Sequence, residues 1–218
     1  MKTMHRVIYV LINLNVLGAA VFLFLTPDQV PVHFGMNGEA NRIGSKYETL
    51  FLPALAVVFG LGLVFTANRS DARDGKLLSK VDIGLQLFVA AFMVFTFAKA
   101  FPLDNTPLAA IDFNVNRGAA LVAGISFVAC GNIMPKSDRN DTFGLRTPWS
   151  KSNDEVWRKS QRFGGYAMIV AGVLTIACGL VLPASLVLPA MIAILLVTAV
   201  ASIVASYVFY RQHYADED

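Results

Sequence analysis

The longest polar stretch of this chain of 218 residues, from Gly131 to Gly165, holds the side chains best suited to bind another molecule. The segment holds both tryptophans and seven of the 18 lysines and arginines. A guanidinium can bind a carboxylate or phosphate through two parallel hydrogen bonds, and an indole ring often lies at the depth of lipid headgroups. The segment is therefore predicted either to bind anionic lipid or to dock a protein or ligand, and both interpretations stay open.

The candidate binding residues of this segment combine amide, guanidinium, indole and turn-forming groups. They are Asn132, Asn140, Arg146, Thr147, Pro148, Trp149, Trp157 and Arg162. Pro135 is predicted to end one helix. Ser152 and Glu155 have the spacing of a capping box, which predicts that the next helix begins near Asn153. The two tryptophans are predicted to anchor the segment at the membrane interface.

A second polar segment, residues 26–49, is too long for a simple helical hairpin and is rich in proline and glycine. Residues 31–34 are predicted to be extended, and Asn37 with Gly38 to form a turn. The candidate binding residues here are His33, Phe34, Glu39, Arg42 and Lys46, and the three charged side chains could pair with each other. His33 lacks partners at zinc-binding spacing, so no metal is expected. It is interpreted as a hydrogen-bonding residue that orders the loop, with a pH-sensitive contact or an outer ligand contact as alternatives.

Composition places both segments in a membrane protein. The chain is 56% hydrophobic and 15% charged, whereas soluble domains carry about 25% charged residues. Six apolar runs are long enough to cross a bilayer, namely 7–25, 50–67, 81–101, 115–133, 163–182 and 186–210. The predicted fold is an all-α bundle of six transmembrane helices, because a spanning helix satisfies its own backbone hydrogen bonds. Two domains of three spans each are predicted, 1–101 with the loop 26–49 and 102–218 with the loop 134–162.

The distribution of lysine and arginine predicts the orientation of these spans. With the N-terminus in the cytoplasm, fourteen of the 18 basic residues lie on the inner side. The remaining four, Arg42, Lys46, Lys99 and Arg117, lie outside. Both termini and the loop 134–162 are therefore expected in the cytoplasm, and the loop 26–49 outside. Cys130 and Cys178 would then lie near opposite faces of the membrane, too far apart for a disulfide.

Several functional classes are disfavoured by the sequence. It contains no motif of a serine hydrolase, zinc protease or phosphate-binding loop, so neither an enzyme nor a cofactor is expected. Nucleic-acid binding is not expected, because the short basic loop lies against lipid headgroups. A small-solute or ion transporter or channel remains an alternative, with candidate residues Asn13, Asn15, Asp82, Gln86, Lys99, Asn114, Asn116 and Arg117. Most of these lie near predicted span ends, and no acidic residue is expected at mid-membrane, which weakens coupling to protons or cations.

The segment 131–165 resembles the C-terminal signature of the SdpI family of bacterial membrane immunity proteins. The resemblance rests on Asn132, Pro135, Asn140, the run from Phe143 to Trp149, Trp157-Arg158-Lys159 and Arg162. Likewise, Pro31, His33, Phe34, Gly38 and Gly44-Ser45-Lys46 resemble a domain of unknown function that commonly forms the N-terminal half of such proteins. The chain departs from the signature at Ser150, where the family often has threonine, and at Gln161, where it has histidine. Glutamine keeps the hydrogen bonding of that position but cannot titrate.

The resemblance implies a function that the residues alone do not. It implies a protein of the bacterial inner membrane that protects the cell against a secreted toxic peptide. For the best-known members it also implies that a transcriptional repressor is held at the membrane when the toxin is sensed. In this interpretation the toxin meets the outer loop or the membrane-embedded bundle, and the repressor binds the inner loop.

Overall fold

Six long helices account for most of the chain in the computed structural model, which describes residues 2–70, 72–100 and 114–215. They are α1 (Lys2–Leu25), α2 (Phe51–Arg69), α3 (Ala72–Ala100), α4 (Val115–Ile133), α5 (Asp154–Val181) and α6 (Ala184–Ala215). All six are long and apolar enough to cross a membrane, which confirms the prediction of six helices able to span a bilayer within the described part of the chain. The predicted domain boundary at 101–102 lies outside the described residues, as does the side chain of Lys99.

The helices extend beyond the apolar runs at their polar ends. α3 begins at Ala72, well before the apolar run that starts at residue 81, and α5 begins at Asp154. The start of α5 is close to the predicted position, but the predicted capping box is wrong. Asn153 caps the helix, because its Oδ1 accepts from the Val156 N–H at 2.9 Å, while Ser152 Oγ has no partner among the described residues.

A short β-hairpin interrupts the helical fold between α1 and α2. Strands β1 (Gln29–Phe34) and β2 (Ala40–Ser45) are antiparallel, and Gly38 in the connecting turn has a φ of 79°. The predicted extended segment and turn are thus confirmed, and the hairpin is an addition to the predicted all-α class. A single helical turn, Lys46–Leu50, follows β2 and begins with a capping box between Ser45 and Glu48.

The chain divides into two compact units. Unit 1 comprises Met1–Val122 and Gly179–Pro189, and unit 2 comprises Ala123–Cys178 and Ala190–Asp218. Within unit 1, α1 packs against α2 and α3 around buried Ile8, Ile12 and Val64. Because the hairpin is also part of unit 1, this unit carries the outer candidate residues, and unit 2 carries the candidates between residues 131 and 165.

Within unit 2, α4 and α5 approach each other closely at two pairs of glycines. A Cβ added to Gly124 would lie 2.7 Å from the Gly172 carbonyl oxygen, and one added to Gly131 would lie 2.5 Å from the Gly165 carbonyl oxygen. Small residues of this kind let helix backbones meet in a medium where apolar side chains gain little by leaving lipid. Sequence reasoning did not identify these two contacts.

Replacement of Gly131 by valine is expected to destabilise unit 2. The new side chain would collide with the α5 backbone, and overpacking of this kind typically costs about 1–3 kcal/mol. The same substitution at Gly62 on α2 is the control, because a Cβ there meets nothing within 4 Å. Thermal unfolding in detergent should show a lower midpoint for Gly131→Val than for Gly62→Val, and equal midpoints would contradict the close approach.

Candidate functional site

An apolar cavity lies in unit 1, between the hairpin and the adjoining parts of α1, α2 and α3. Its volume is about 500 Å³. Six phenylalanines contribute to its wall, namely Phe22, Phe34, Phe51, Phe92, Phe95 and Phe97. Arg42 and Glu48 line it as well, joined by an ion pair of 2.7 Å between Nη2 and Oε2 with both side chains partly exposed. A concave apolar site with a few polar groups is the usual form of a ligand-binding pocket.

Polar contacts fix the base of the hairpin to the end of α1. Lys46 Nζ lies 3.0 Å from Asp28 Oδ1 and donates to the Thr26 carbonyl at 3.3 Å. The Lys46 N–H also donates to the Asp28 carbonyl at 3.0 Å. Only 13% of the Lys46 side chain is exposed. Its ammonium group therefore stabilises the hairpin and is not available to a ligand.

The tip of the hairpin is held by the start of α4. Asn114 Nδ2 donates to the Asn37 carbonyl at 2.8 Å, and Asn116 Nδ2 donates to the Met36 carbonyl at 2.7 Å. Asn116 Nδ2 also lies 3.2 Å from the carbonyl of Ala184, the first residue of α6. These asparagines, which the sequence offered as polar residues of a transport pathway, therefore bind backbone and position the hairpin over the cavity.

The structure separates the five outer candidates into two groups. Phe34 and Arg42 line the cavity, whereas His33, Glu39 and Lys46 do not. The Nδ1–H of His33 donates to Asn41 Oδ1 at 2.6 Å across the hairpin, as expected of a histidine that orders the loop.

The expected pairing among the three charged outer candidates is wrong. Glu39 accepts from Asn37 Nδ2 at 2.7 Å, and the cations pair with Glu48 and Asp28. The reason is that the turn after β2 brings Glu48 back beside Arg42, an arrangement that residue spacing within the loop does not reveal. Sequence reasoning also missed the aromatic wall on α3, because Phe92, Phe95 and Phe97 read as ordinary apolar residues of a span.

In unit 2, the connection between α4 and α5 is fastened to α5 by Gln161. Its Oε1 accepts from the Leu145 N–H, and its Nε2 donates to the Leu145 carbonyl, both at 2.9 Å. Gln161 is fully buried. Gly144 has a φ of 107°, and a Cβ there would lie 2.4 Å from Gln161 Oε1, so this approach requires glycine at 144.

The two tryptophans have different environments. Trp157 is 1% exposed, and its Nε1–H donates to the Ser137 carbonyl at 2.9 Å. The prediction of an interfacial anchor is therefore wrong for Trp157, because its ring is packed inside unit 2 and its one donor binds backbone. Trp149 is half-buried and meets Tyr207 of α6 edge-on, with ring centroids 5.2 Å apart. Its location at the membrane interface stays a prediction.

Several other inner candidates have structural partners. Asn140 Oδ1 accepts from the Thr142 and Phe143 N–H groups, both at 2.8 Å, and so closes the turn before Gly144. Thr147 Oγ1 lies 2.9 Å from Ser206 Oγ on α6, which ties the connection to that helix. Ser150 Oγ donates to the Leu145 carbonyl at 2.7 Å, a contact that a threonine hydroxyl could also make.

The remaining inner candidates, Asn132, Arg146, Pro148 and Arg162, are exposed. Arg146 donates to the Asp141 carbonyl, which orients its guanidinium along the connection. Lys151 contacts the Asp141 carboxylate, and this ammonium group holds the pKa of Asp141 below its usual value. Within the described part of the chain, Arg162 has no carboxylate partner at ion-pair distance, so its charge is directed to the surroundings.

Loss of the Gln161 contacts is expected to destabilise unit 2. Gln161→Ala removes both bonds to Leu145, and a buried group that loses its partner typically costs about 1–3 kcal/mol. Gln161→His should also destabilise, because the two ring nitrogens point away from each other and cannot serve one residue's N–H and C=O together. Thermal unfolding should show lower midpoints for both variants than for Gln212→Ala on the exposed surface of α6. A midpoint for Gln161→His equal to that of the parent would contradict the specific role of the amide.

Comparison with known proteins finds matches for both candidate regions. Residues 136–206 match the SdpI/YfhL protein family, and residues 10–57 match a domain of unknown function, DUF1648. The chain is 22% identical over 205 residues to Immunity protein SdpI of Bacillus subtilis (strain 168), covering 93% of this chain and 94% of that protein. No solved structure matches.

The two matched ranges coincide with the structural features described above. The range 10–57 contains the second half of α1, the hairpin and the first turns of α2, and so includes much of the cavity wall. The range 136–206 contains the connection held by Gln161, all of α5 and most of α6. The resemblance inferred from the sequence is confirmed: residues 136–206 match the model of the SdpI/YfhL protein family, and a match to DUF1648 precedes this region.

Proposed function

We propose that this chain is a membrane immunity protein that protects its cell against a secreted toxic peptide. The observation that carries the proposal is the phenylalanine-lined cavity of unit 1, much of whose wall comes from the DUF1648 segment. An amphipathic peptide could place apolar side chains in this cavity and keep its charged groups beside Arg42 and Glu48. The name of the B. subtilis relative supports an immunity role.

The proposed orientation puts the cavity outside the cell and both termini in the cytoplasm of a bacterium. The excess of lysine and arginine in the segments assigned to the cytoplasm supports this orientation. The hydrogen bonds of Asn116 are consistent with it, because they join the hairpin tip to the first residue of α6. The proposed orientation assigns both the hairpin tip and the start of α6 to the outer side.

A second part of the proposal concerns the exposed basic residues around the α4–α5 connection. Arg146, Arg158 and Arg162 are all exposed on this surface, and Trp149 is half-buried beside α6. We propose that the surface binds anionic lipid headgroups and a cytosolic transcriptional repressor. Guanidinium groups suit both partners, because they bind phosphates and carboxylates in the same bidentate geometry.

Filling the cavity is expected to abolish protection. Thr96 lines the cavity and Thr66 does not, and each hydroxyl donates to the carbonyl four residues earlier in its helix, at 3.0 and 2.9 Å. Thr96→Phe and Thr66→Phe are therefore a matched pair. In a sensitive bacterium expressing this chain and challenged with a panel of secreted antimicrobial peptides, survival should rise for at least one peptide.

Thr96→Phe should lose this protection, and Thr66→Phe should keep it. Retention of protection by Thr96→Phe would exclude the cavity as the binding site. If the parent chain protects against none of the peptides, the immunity proposal itself fails. Membrane levels of both variants, measured in the same cells, distinguish lost binding from lost protein.

Thiol labelling in intact cells tests the proposed orientation. In a background with Cys130→Ala and Cys178→Ala, we expect a membrane-impermeant maleimide to label Ile43→Cys on β2 without lysis. Arg139→Cys, in the connection between α4 and α5, should be labelled only after the cells are opened. Both positions are exposed, so burial does not confound the comparison. The reverse pattern would place the hairpin in the cytoplasm.

A further inference from the structure

The interior of unit 1 contains a carboxyl group that the proposed cavity does not use. Asp82 of α3 is fully buried. Its Oδ1 accepts a hydrogen bond from Gln86 Nε2 at 3.3 Å, and its Oδ2 has no hydrogen-bond partner among the described residues. A carboxylate ion at this position would be a buried charge without a counter-ion, which is among the most unfavourable arrangements a protein can hold.

The groups around Asp82 are held in place by further hydrogen bonds and are electrically neutral. Gln86 Nε2 donates to the Ala56 carbonyl of α2 at 2.9 Å as well as to Asp82. Asn15 Nδ2 of α1 donates to Gln86 Oε1 at 2.9 Å and to the Gln86 carbonyl at 3.1 Å. A Cβ added to Gly60 would lie 2.5 Å from Gln86 Nε2 and 3.2 Å from Asp82 Oδ1. The absence of a side chain at Gly60 therefore leaves space for the cluster formed by Asn15, Asp82 and Gln86.

The cluster lies well inside the helices. Three side chains lie next to Gly60 of α2: Gln86 and Asp82 of α3, and Ile12 of α1. Ile12 is about halfway along α1. The expectation that no acidic residue lies at mid-membrane stays a prediction, but Asp82 lies beside the middle of α1 and α2. That expectation placed Asp82 at the edge of an apolar run, whereas α3 begins a further ten residues earlier and carries Asp82 into the bundle.

Among the described residues of α1 and α2, which pack against α3, no buried side chain is charged. The buried residues of α1 are Ile8, Ile12, Asn15, Ala19 and Phe22, and those of α2 are Pro53, Ala56, Gly60, Val64 and Ala67. On α3 itself, Lys76 and Lys80 are exposed, and Asp74, with one buried carboxylate oxygen, lies about two helical turns before Asp82. The nearest titratable group in line with the buried residues of α1 is His5, about two helical turns from Ile12.

We propose that Asp82 is an intramembrane proton-binding site in which Oδ2 carries the proton in the resting protein. Binding of one proton converts the carboxylate into a neutral carboxylic acid, and no other reactant is needed. Oδ1 then remains the carbonyl oxygen that accepts from Gln86 Nε2, which is the bonding the structure shows. A multivalent metal is disfavoured, because the described residues contain no group of three or more His, Cys, Asp or Glu side chains that could hold one.

The proton is expected to exchange from the end of unit 1 that contains the start of α1. In that direction the interior contains further polar groups, the buried hydroxyl of Ser79 and the buried, unpartnered Nε2 of His5. In the opposite direction the next buried residues are Ala19 and Phe22 of α1, Pro53 of α2 and Val89 of α3, which provide no hydrogen-bonding side chains, and the buried Thr26 hydroxyl lies beyond them. The polar groups therefore favour one-sided access to Asp82.

Infrared spectroscopy of the full chain in lipid nanodiscs tests this proposal. At neutral pH the parent should show the carbonyl band of a protonated carboxylic acid, shifted in deuterated buffer. Asp82→Asn should lack the band, and Asp154→Asn, which changes an exposed aspartate at the start of α5, should retain it. Absence of the band in the parent, or its persistence in folded Asp82→Asn, would overturn the proposal.

Two further measurements keep the test decisive. Asp82→Glu retains an acid and should move the band to a different frequency, so this variant assigns the band even if Asp82→Asn does not fold; an unmoved band in Asp82→Glu would overturn the assignment. The parent spectrum should also be the same in sodium and choline buffers. Loss of the band on adding sodium would show that a metal cation displaces the proton, and would overturn the proposal of a proton site.

Discussion

A buried polar group in an apolar molecule is energetically costly unless it finds a partner within the protein, and this constraint shapes both units. The Asn15 and Gln86 amides bind each other and the backbone of a neighbouring helix. Gln161 binds one backbone residue with both ends of its amide, and Trp157 uses its single N–H on a carbonyl. Each contact joins segments distant in sequence, so the few polar residues specify which surfaces meet, whereas apolar residues in lipid specify little.

The same constraint explains why the hairpin can cover a cavity without a large core of its own. A two-stranded sheet is marginally stable in isolation. Here Lys46 fixes its base, while Asn114 and Asn116 fix its tip. With both ends held, the middle of the hairpin can contribute Phe34 and Arg42 to the cavity wall. The cavity is therefore maintained by contacts at its margins, and its phenylalanine lining remains available to a ligand.

The fold was largely predictable from sequence, because six apolar runs of sufficient length permit little else in a bilayer. The extended segment before Asn37-Gly38 was predictable for local reasons, since proline and glycine restrict the backbone there. The partners of Arg42 and Trp157 were not, because they depend on where the chain returns after a turn. The cavity was missed for a different reason. The sequence of a spanning helix does not reveal whether a phenylalanine faces lipid, another helix or an empty space.

The buried aspartate of α3 also has a consequence for how the chain enters the membrane. An aspartate at the centre of an isolated spanning helix adds about 2.5–3.5 kcal/mol to the free energy of insertion. The Gln86 amide on α3 forms hydrogen bonds with the Ala56 carbonyl on α2 and with Asn15 on α1. The polar side chains of α3 therefore have these partners only when both earlier helices are present. The free energy of inserting α3 is therefore expected to be lower beside α1 and α2 than for α3 alone.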